Sequence, residues 1–183
     1  MGDVTEFVEP EARPLLAIED LSKGFTLHAA NRRVRGCEHI SLSVLPGEFV
    51  GVTGRSGSGK STILKCIYRT NLPESGHIVY DSEAFGPVDL ATLDERRVIY
   101  LRNYEIGYVS QFLDAVPRTT AREIVRASAA EAFADEDAIE EETTRMLEHF
   151  DFPKPLWDLY PNTFSGGEKL RLNIARAMVR RPR

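Results

Sequence analysis

The run Gly54-Arg55-Ser56-Gly57-Ser58-Gly59-Lys60-Ser61 fits G-x-x-x-x-G-K-[ST] at every fixed position. That spacing suits capture of a polyphosphate. Such an anion needs many donors in a small concave space, and glycines remove the Cβ atoms that would hold successive backbone N–H groups away from its oxygens. A helix starting near Lys60 adds a favourable dipole, and Lys60 itself supplies a point charge. Ser61 offers a hydroxyl to a Mg²⁺ that bridges phosphate oxygens, with Thr62 in support. The plain alternative is a glycine-rich turn that merely begins a helix. The strand pattern before the loop and the helical pattern after it favour phosphate binding.

A second run, Ser165-Gly166-Gly167-Glu168-Lys169, precedes an apolar-periodic stretch, Leu170 to Val179. Its serine hydroxyl and glycine N–H groups would crown a helix whose positive end can face a phosphate. Ser165-x-x-Glu168 is equally a capping box, which accounts for serine and glutamate without any ligand but does not require the glycine pair.

The elements that must position these residues read as follows. Leu15–Glu19 and Gly24–Leu27 are short strands, and Ile40–Val44 (ISLSV) alternates as a half-buried strand does. After the Pro46-Gly47 turn, Glu48–Thr53 (EFVGVT) is the apolar run expected of a central parallel strand. Lys60–Arg69 carries Ile63, Leu64, Ile67 and Tyr68 at helical spacing. A strand over His77–Tyr80, a helix over Leu93–Tyr104 and a strand over Ile106–Ser110 complete an α/β core. Beyond Gln111 the pattern is helical: Thr120-x-x-Glu123 is a capping box, and Ile139, Thr143, Met146, Leu147 and Phe150 share one face. The expected organisation is a flexible extension over 1–14, an α/β core over 15–111 and a helical subdomain over 112–183.

The chain has 183 residues, 42% hydrophobic and 28% charged, with a formal net charge of -5. That balance gives no general attraction to nucleic acid, and none is expected as a partner. No apolar run approaches the roughly 20 residues that cross a bilayer, and the amino terminus lacks a secretion signal, so a cytoplasmic location is expected. Cys37 and Cys66 fit neither a disulfide framework nor a metal-ligand pair, and read as plain thiols with Cys66 packed inside a helix. His28, His39, His77 and His149 make no metal spacing. Trp157 reads as a packing anchor, and the acidic stretch Glu131–Glu142 as a solvated helix face.

With Phe164 before it, Ser165–Lys169 resembles the signature sequence of ABC-type ATPases, usually written LSGGQ, with Phe and Glu in place of Leu and Gln. The resemblance implies a P-loop NTPase fold with a β-rich N-terminal layer, ATP and Mg²⁺ as ligands, and ATP hydrolysis. It implies that residues 54–62 hold ATP. Lys60 and Gln111 then act in catalysis, Gln111 as the Q-loop glutamine that touches Mg²⁺ and the attacking water. Phe25 falls where the family sets an aromatic ring against adenine, although a core phenylalanine remains open. Ser165, Gly166, Gly167 and Glu168 would close over the nucleotide of a second subunit in a head-to-tail dimer.

The family's Walker B strand, catalytic glutamate and switch histidine find no counterpart before Arg183, so the C-terminal part of the domain is expected to be missing. Without that strand Glu48–Thr53 should expose apolar surface, and the chain should bind ATP but turn over little. Longer matches (Ser22–Leu27 with His28, Gly107–Leu113 with Val116-Pro117-Arg118, and Leu156-Trp157 with Asn162–Glu168) are similar to the ATP-binding subunits of the bacterial carbon–phosphorus lyase system, the PhnL type. That implies partners in phosphonate use, around assembly of ribose 1-methylphosphonate 5-triphosphate. The rival reading is a nucleotide-binding subunit coupled to membrane permeases, of lipoprotein-release or exporter type, peripheral at the inner membrane. A DNA-repair ATPase is disfavoured, because no coiled-coil or zinc-bearing insertion separates Lys60 from Ser165.

Overall fold

Alternating apolar residues in the first fifty positions build a sheet rather than helices. The computed structural model describes residues 13–27, 32–110, 113 and 117–183. Most of the expected extension over 1–14, as well as His28, Gln111, Phe112 and Val116, lies outside the described residues. The chain divides into two compact units, Met1–Asp94 and Glu95–Arg183.

The first unit holds β1 (Leu16–Leu27), β2 (Arg32–Val44), α1 (Lys60–Ile67), β3 (Ser75–Ser82) and β4 (Gly86–Asp89). The strands form one antiparallel sheet in the order β2-β1-β3-β4. Ile18, Leu21, Ile78, Tyr80, Val88 and Leu90 are buried in this unit, together with Ile63 and Cys66 of α1. Each such aliphatic side chain is worth about 1.5–3 kcal/mol of burial.

Where two short strands were expected, β1 runs unbroken through register shifts between Ile18 and Gly24. Asp20 and His39 take left-handed backbone there, at φ 51° and 52°. Two serines stabilise the irregularity across the pair: Ser41 Oγ accepts from Asp20 N and Ser22 Oγ from His39 N, each at 3.0 Å. A bulge of this kind bends a strand without ending it.

Glu48–Thr53 carries no ladder, and the same holds for Ile106–Ser110. Both were expected as strands. A parallel strand takes all its backbone partners from distant segments, and among the described residues no strand lies alongside either run. The apolar side chains of Glu48–Thr53 accordingly face solvent, with Phe49 96% exposed.

The second unit contains α2 (Glu95–Tyr104), α3 (Ala121–Ala129), α4 (Glu136–His149) and α5 (Gly166–Met178), with short 3₁₀ turns at Lys154–Leu156 and Pro161–Thr163. α3 begins in a full capping box: Thr120 Oγ accepts from Glu123 N, and Glu123 Oε2 accepts from Thr120 N at 2.7 Å. The α4 face read from the sequence is buried at Ile139, Thr143, Met146 and Leu147. It packs into a core with Val125, Phe152, Trp157, Phe164 and Leu172. Trp157 is an anchor as expected; its Nε1–H donates to Phe152 O at 3.0 Å inside the core.

Candidate functional site

Residues 54–59 are too glycine-rich for a helix, and three of them use conformations that favour glycine: Gly54, Gly57 and Gly59 have φ of 151°, 79° and 93°. Gly59 is the N-cap of α1, and no side chain caps that helix. α3, α4 and α5 all begin with a side-chain cap. The first N–H groups of α1 therefore have no side-chain acceptor, which is the arrangement an anion can complete.

Lys60 Nζ donates to the carbonyls of Gly54 and Arg55, both at 2.8 Å. An ammonium carries three donors, so two fix its position at the loop and, among the described residues, the third is left for an incoming oxygen. Ser61 is exposed at the start of α1, and Thr62 is half-buried beside it. The hydroxyl of Ser61 is accessible to a Mg²⁺ that shares oxygens with a bound phosphate.

A cavity of about 370 Å³ lies between this loop and the first two strands. Ser56–Thr62 line one side and Phe25, Arg35 and Gly36 the other. Phe25 is 37% exposed, so it is a wall of the cavity rather than a core residue. Its ring carries the Lys23 ammonium 5.5 Å from the centroid. The lining contains no carboxylate among the described residues, which suits it to hold an anion.

The hairpin is locked to the loop by two glycines. A Cβ built on Gly59 would sit 1.9 Å from Gly36 O, and one built on Gly36 would lie 2.7 Å from the Phe25 ring and 3.0 Å from Thr62 Cγ2. Motif reading does not reach Gly36 or Arg35. Only with β2 extended over Arg32–Val44 does Gly36 become a glycine inside a strand, which marks a bulge or a close backbone approach.

In the second unit Ser165 is the N-cap of α5, and the capping box is complete: Ser165 Oγ accepts from Glu168 N at 3.3 Å, and Glu168 Oε2 from Ser165 N at 2.7 Å. Accepting from the Ser165 backbone N–H holds the Glu168 carboxyl below its ordinary range. The capping alternative is thus realised, yet it leaves the glycines unexplained. A Cβ on Gly166 or Gly167 would meet nothing within 4 Å, and neither has positive φ. The chain's own packing does not demand glycine at either position; the close approach of an external group would.

Gln111 lies outside the described residues. Among the described residues no group of three or more His, Cys, Asp or Glu side chains could hold a metal. His39 and His77 pair with Asp20 and Asp89 at 2.7 and 2.8 Å. Both cysteines are buried free thiols, and burial pushes Cys66 up to about 11, far from a reactive thiolate. No helix among the described residues is long and apolar enough to cross a membrane.

The family model described as ABC transporter matches residues 37–183. The lipoprotein-releasing system ATP-binding protein LolD of Legionella pneumophila (strain Paris) is 36% identical over 169 residues, covering 92% of this chain and 70% of that protein. The cell division ATP-binding protein FtsE of Bacillus subtilis (strain 168) is 37% identical over 151 residues, covering 81% of the chain and 62% of its own length. Among solved structures, the dimeric post-hydrolysis state of the ATP-binding cassette MJ0796, bound to ADP and Pi, matches with a TM-score of 0.81 at 25% identity. That match takes in 91% of this chain and 70% of MJ0796.

Proposed function

Because the chain belongs to the ABC transporter family of ATP-binding domains, we propose that it captures Mg²⁺-loaded ATP in the cavity beside Lys60 as the nucleotide-binding part of a membrane transport motor. One observation carries this reading: an uncapped helix start, a glycine loop and a lysine with a spare donor converge on one cavity that Phe25 also lines. The terminal phosphates lie along residues 54–61, where backbone N–H groups and Lys60 compensate their charge. The base lies against Phe25, since stacking suits any flat π-face. Ser61 would hold Mg²⁺, which when bound offsets charge on the phosphate oxygens. Gln111 would orient the attacking water.

Turnover by this chain alone is low on this reading. Positioning of water and metal supplies most of phosphoryl-transfer catalysis, and the cavity offers donors and cations without a carboxylate. The open Gly166-Gly167 pair at the α5 N-terminus supports a second role, covering the nucleotide of another copy in a head-to-tail dimer. The relatives, named for lipoprotein release and cell division, favour a motor that works with membrane permeases at the cytoplasmic face. They favour it over the carbon–phosphorus lyase assignment, whose supporting residues are the longer sequence matches alone.

The test is calorimetric titration of the full chain with Mg·ATP. Lys60→Ala should raise Kd by roughly tenfold or more, as loss of a charge-assisted hydrogen bond requires. Unaltered affinity in that variant refutes the site.

A further inference from the structure

We propose that Asn173 is a positioning residue for Gln111: from the middle of α5 its amide fixes the peptide unit out of which Gln111 emerges. This rests on the nucleotide reading above, in which Gln111 serves the metal and the attacking water.

Asn173 stands in an apolar setting. Leu172 and Ala175 on the same helix are fully buried, and Asn173 itself is 1% exposed. A helix interior disfavours asparagine, and a buried amide costs free energy unless its hydrogen bonds are made. Packing alone would be served by an apolar residue. What the amide adds is a donor: Nδ2 lies 2.8 Å from Ser110 O and 3.4 Å from Ser110 Oγ, across 63 positions of chain. Facing a carbonyl, the side chain must present its NH2 group rather than its oxygen.

The segment gripped in this way carries no ladder, and α5 with the residues after it takes the place of one. Arg183 N donates to Glu105 O at 2.9 Å. A Cβ built on Gly107 would meet Pro182 Cγ at 2.8 Å and Ala177 O at 3.8 Å. Asn173 holds Ser110, so it is the clip at the end next to Gln111. The Ser110 carbonyl and the Gln111 nitrogen share one planar peptide unit. A donor on that oxygen therefore limits the directions in which the chain can continue into Gln111.

Calorimetric titration of the full chain with ATP, once with Mg²⁺ and once with a chelator, gives the gain in affinity that the metal brings. Asn173→Leu keeps the volume and removes the donor; it should cut that gain by about fivefold, the scale of one hydrogen bond. Asn173→Ala, which leaves a small void instead, should cut it equally, because the donor and not the packing is at issue. Gln111→Ala should also lower the gain, and combining it with Asn173→Leu should lower it no further, since both act through one group. A purely structural role would weaken both titrations alike, or shift the thermal midpoint, with the gain intact; that result would overturn the proposal. So would additive losses in the double variant, a loss confined to one of the two Asn173 variants, or a gain that Gln111→Ala leaves unaltered. If Lys60→Ala binds Mg·ATP as tightly as the parent, the nucleotide reading itself fails, and this proposal with it.

Discussion

Replacing Gly59 by alanine tests the contact on which the cavity depends. Two costs add. At φ 93° a Cβ brings the left-handed penalty, about 1–2 kcal/mol. The new methyl also lands 1.9 Å from Gly36 O, where real Cβ atoms stay beyond 3.0 Å, so the hairpin carbonyl must retreat by the difference of about 1.1 Å. Forcing atoms into a packed contact costs about 1–3 kcal/mol. Alanine returns about 0.4–1 kcal/mol by restricting the unfolded chain. The expected net loss is about 1–4.5 kcal/mol, centred near 3. Gly57→Ala is the internal control: φ is 79°, but its Cβ meets nothing within 4 Å. It should cost about 1 kcal/mol or less, the left-handed term net of the entropy return. Urea denaturation followed by far-ultraviolet circular dichroism gives both values. Equal losses in the two variants would refute the docking of the hairpin on the loop.

Two further predictions concern the helical unit and the charged surface. Trp157→Phe removes the donor that Phe152 O has among the described residues and replaces the indole over which the Arg122 guanidinium lies at 4.9 Å by a smaller ring. It should cost about 2–3 kcal/mol in urea denaturation, the penalty of an unpaired buried acceptor plus lost packing; a loss under about 0.5 kcal/mol would count against Trp157 as an anchor. The pH profile follows from opposite shifts. Hydrogen bonds from Thr120, Arg145 and Ser165 hold the Glu123, Glu142 and Glu168 carboxyls below the ordinary 4.5. Their stabilisation is complete above that value and fades as pH falls through the lowered one. Asp20 and Asp89 hold His39 and His77 above the ordinary 6.5 by accepting their ring hydrogen bonds. That stabilisation is present below 6.5 and fades as pH rises through the raised value. The thermal midpoint should therefore peak between 4.5 and 6.5, and His77→Gln should flatten the alkaline side. A midpoint that climbs steadily to alkaline pH would contradict the assignment.

What the sequence made legible was local, and what it hid was not. The glycine loop leading into α1 could be read because each requirement lies within eight consecutive residues. The boxes at Thr120/Glu123 and Ser165/Glu168 could be read for the same reason, since a cap and its partner are three residues apart. Glu48–Thr53 was read as a strand from composition alone, but a parallel strand exists only through distant partners, and none lies beside it among the described residues. The irregularity of β1 escaped notice because its left-handed residues are Asp20 and His39 rather than glycines, stabilised by serines about twenty positions away. Gly36 went unread for the same reason as the bulge, since a glycine signals a close approach only where a strand is read around it. The ladder of β2 makes it an extra residue within a strand, and the approach itself comes from Gly59, whose built Cβ lies 1.9 Å from Gly36 O. The loop motif is complete within eight residues, whereas the bulge opposite it exists only in the pairing of β1 with β2.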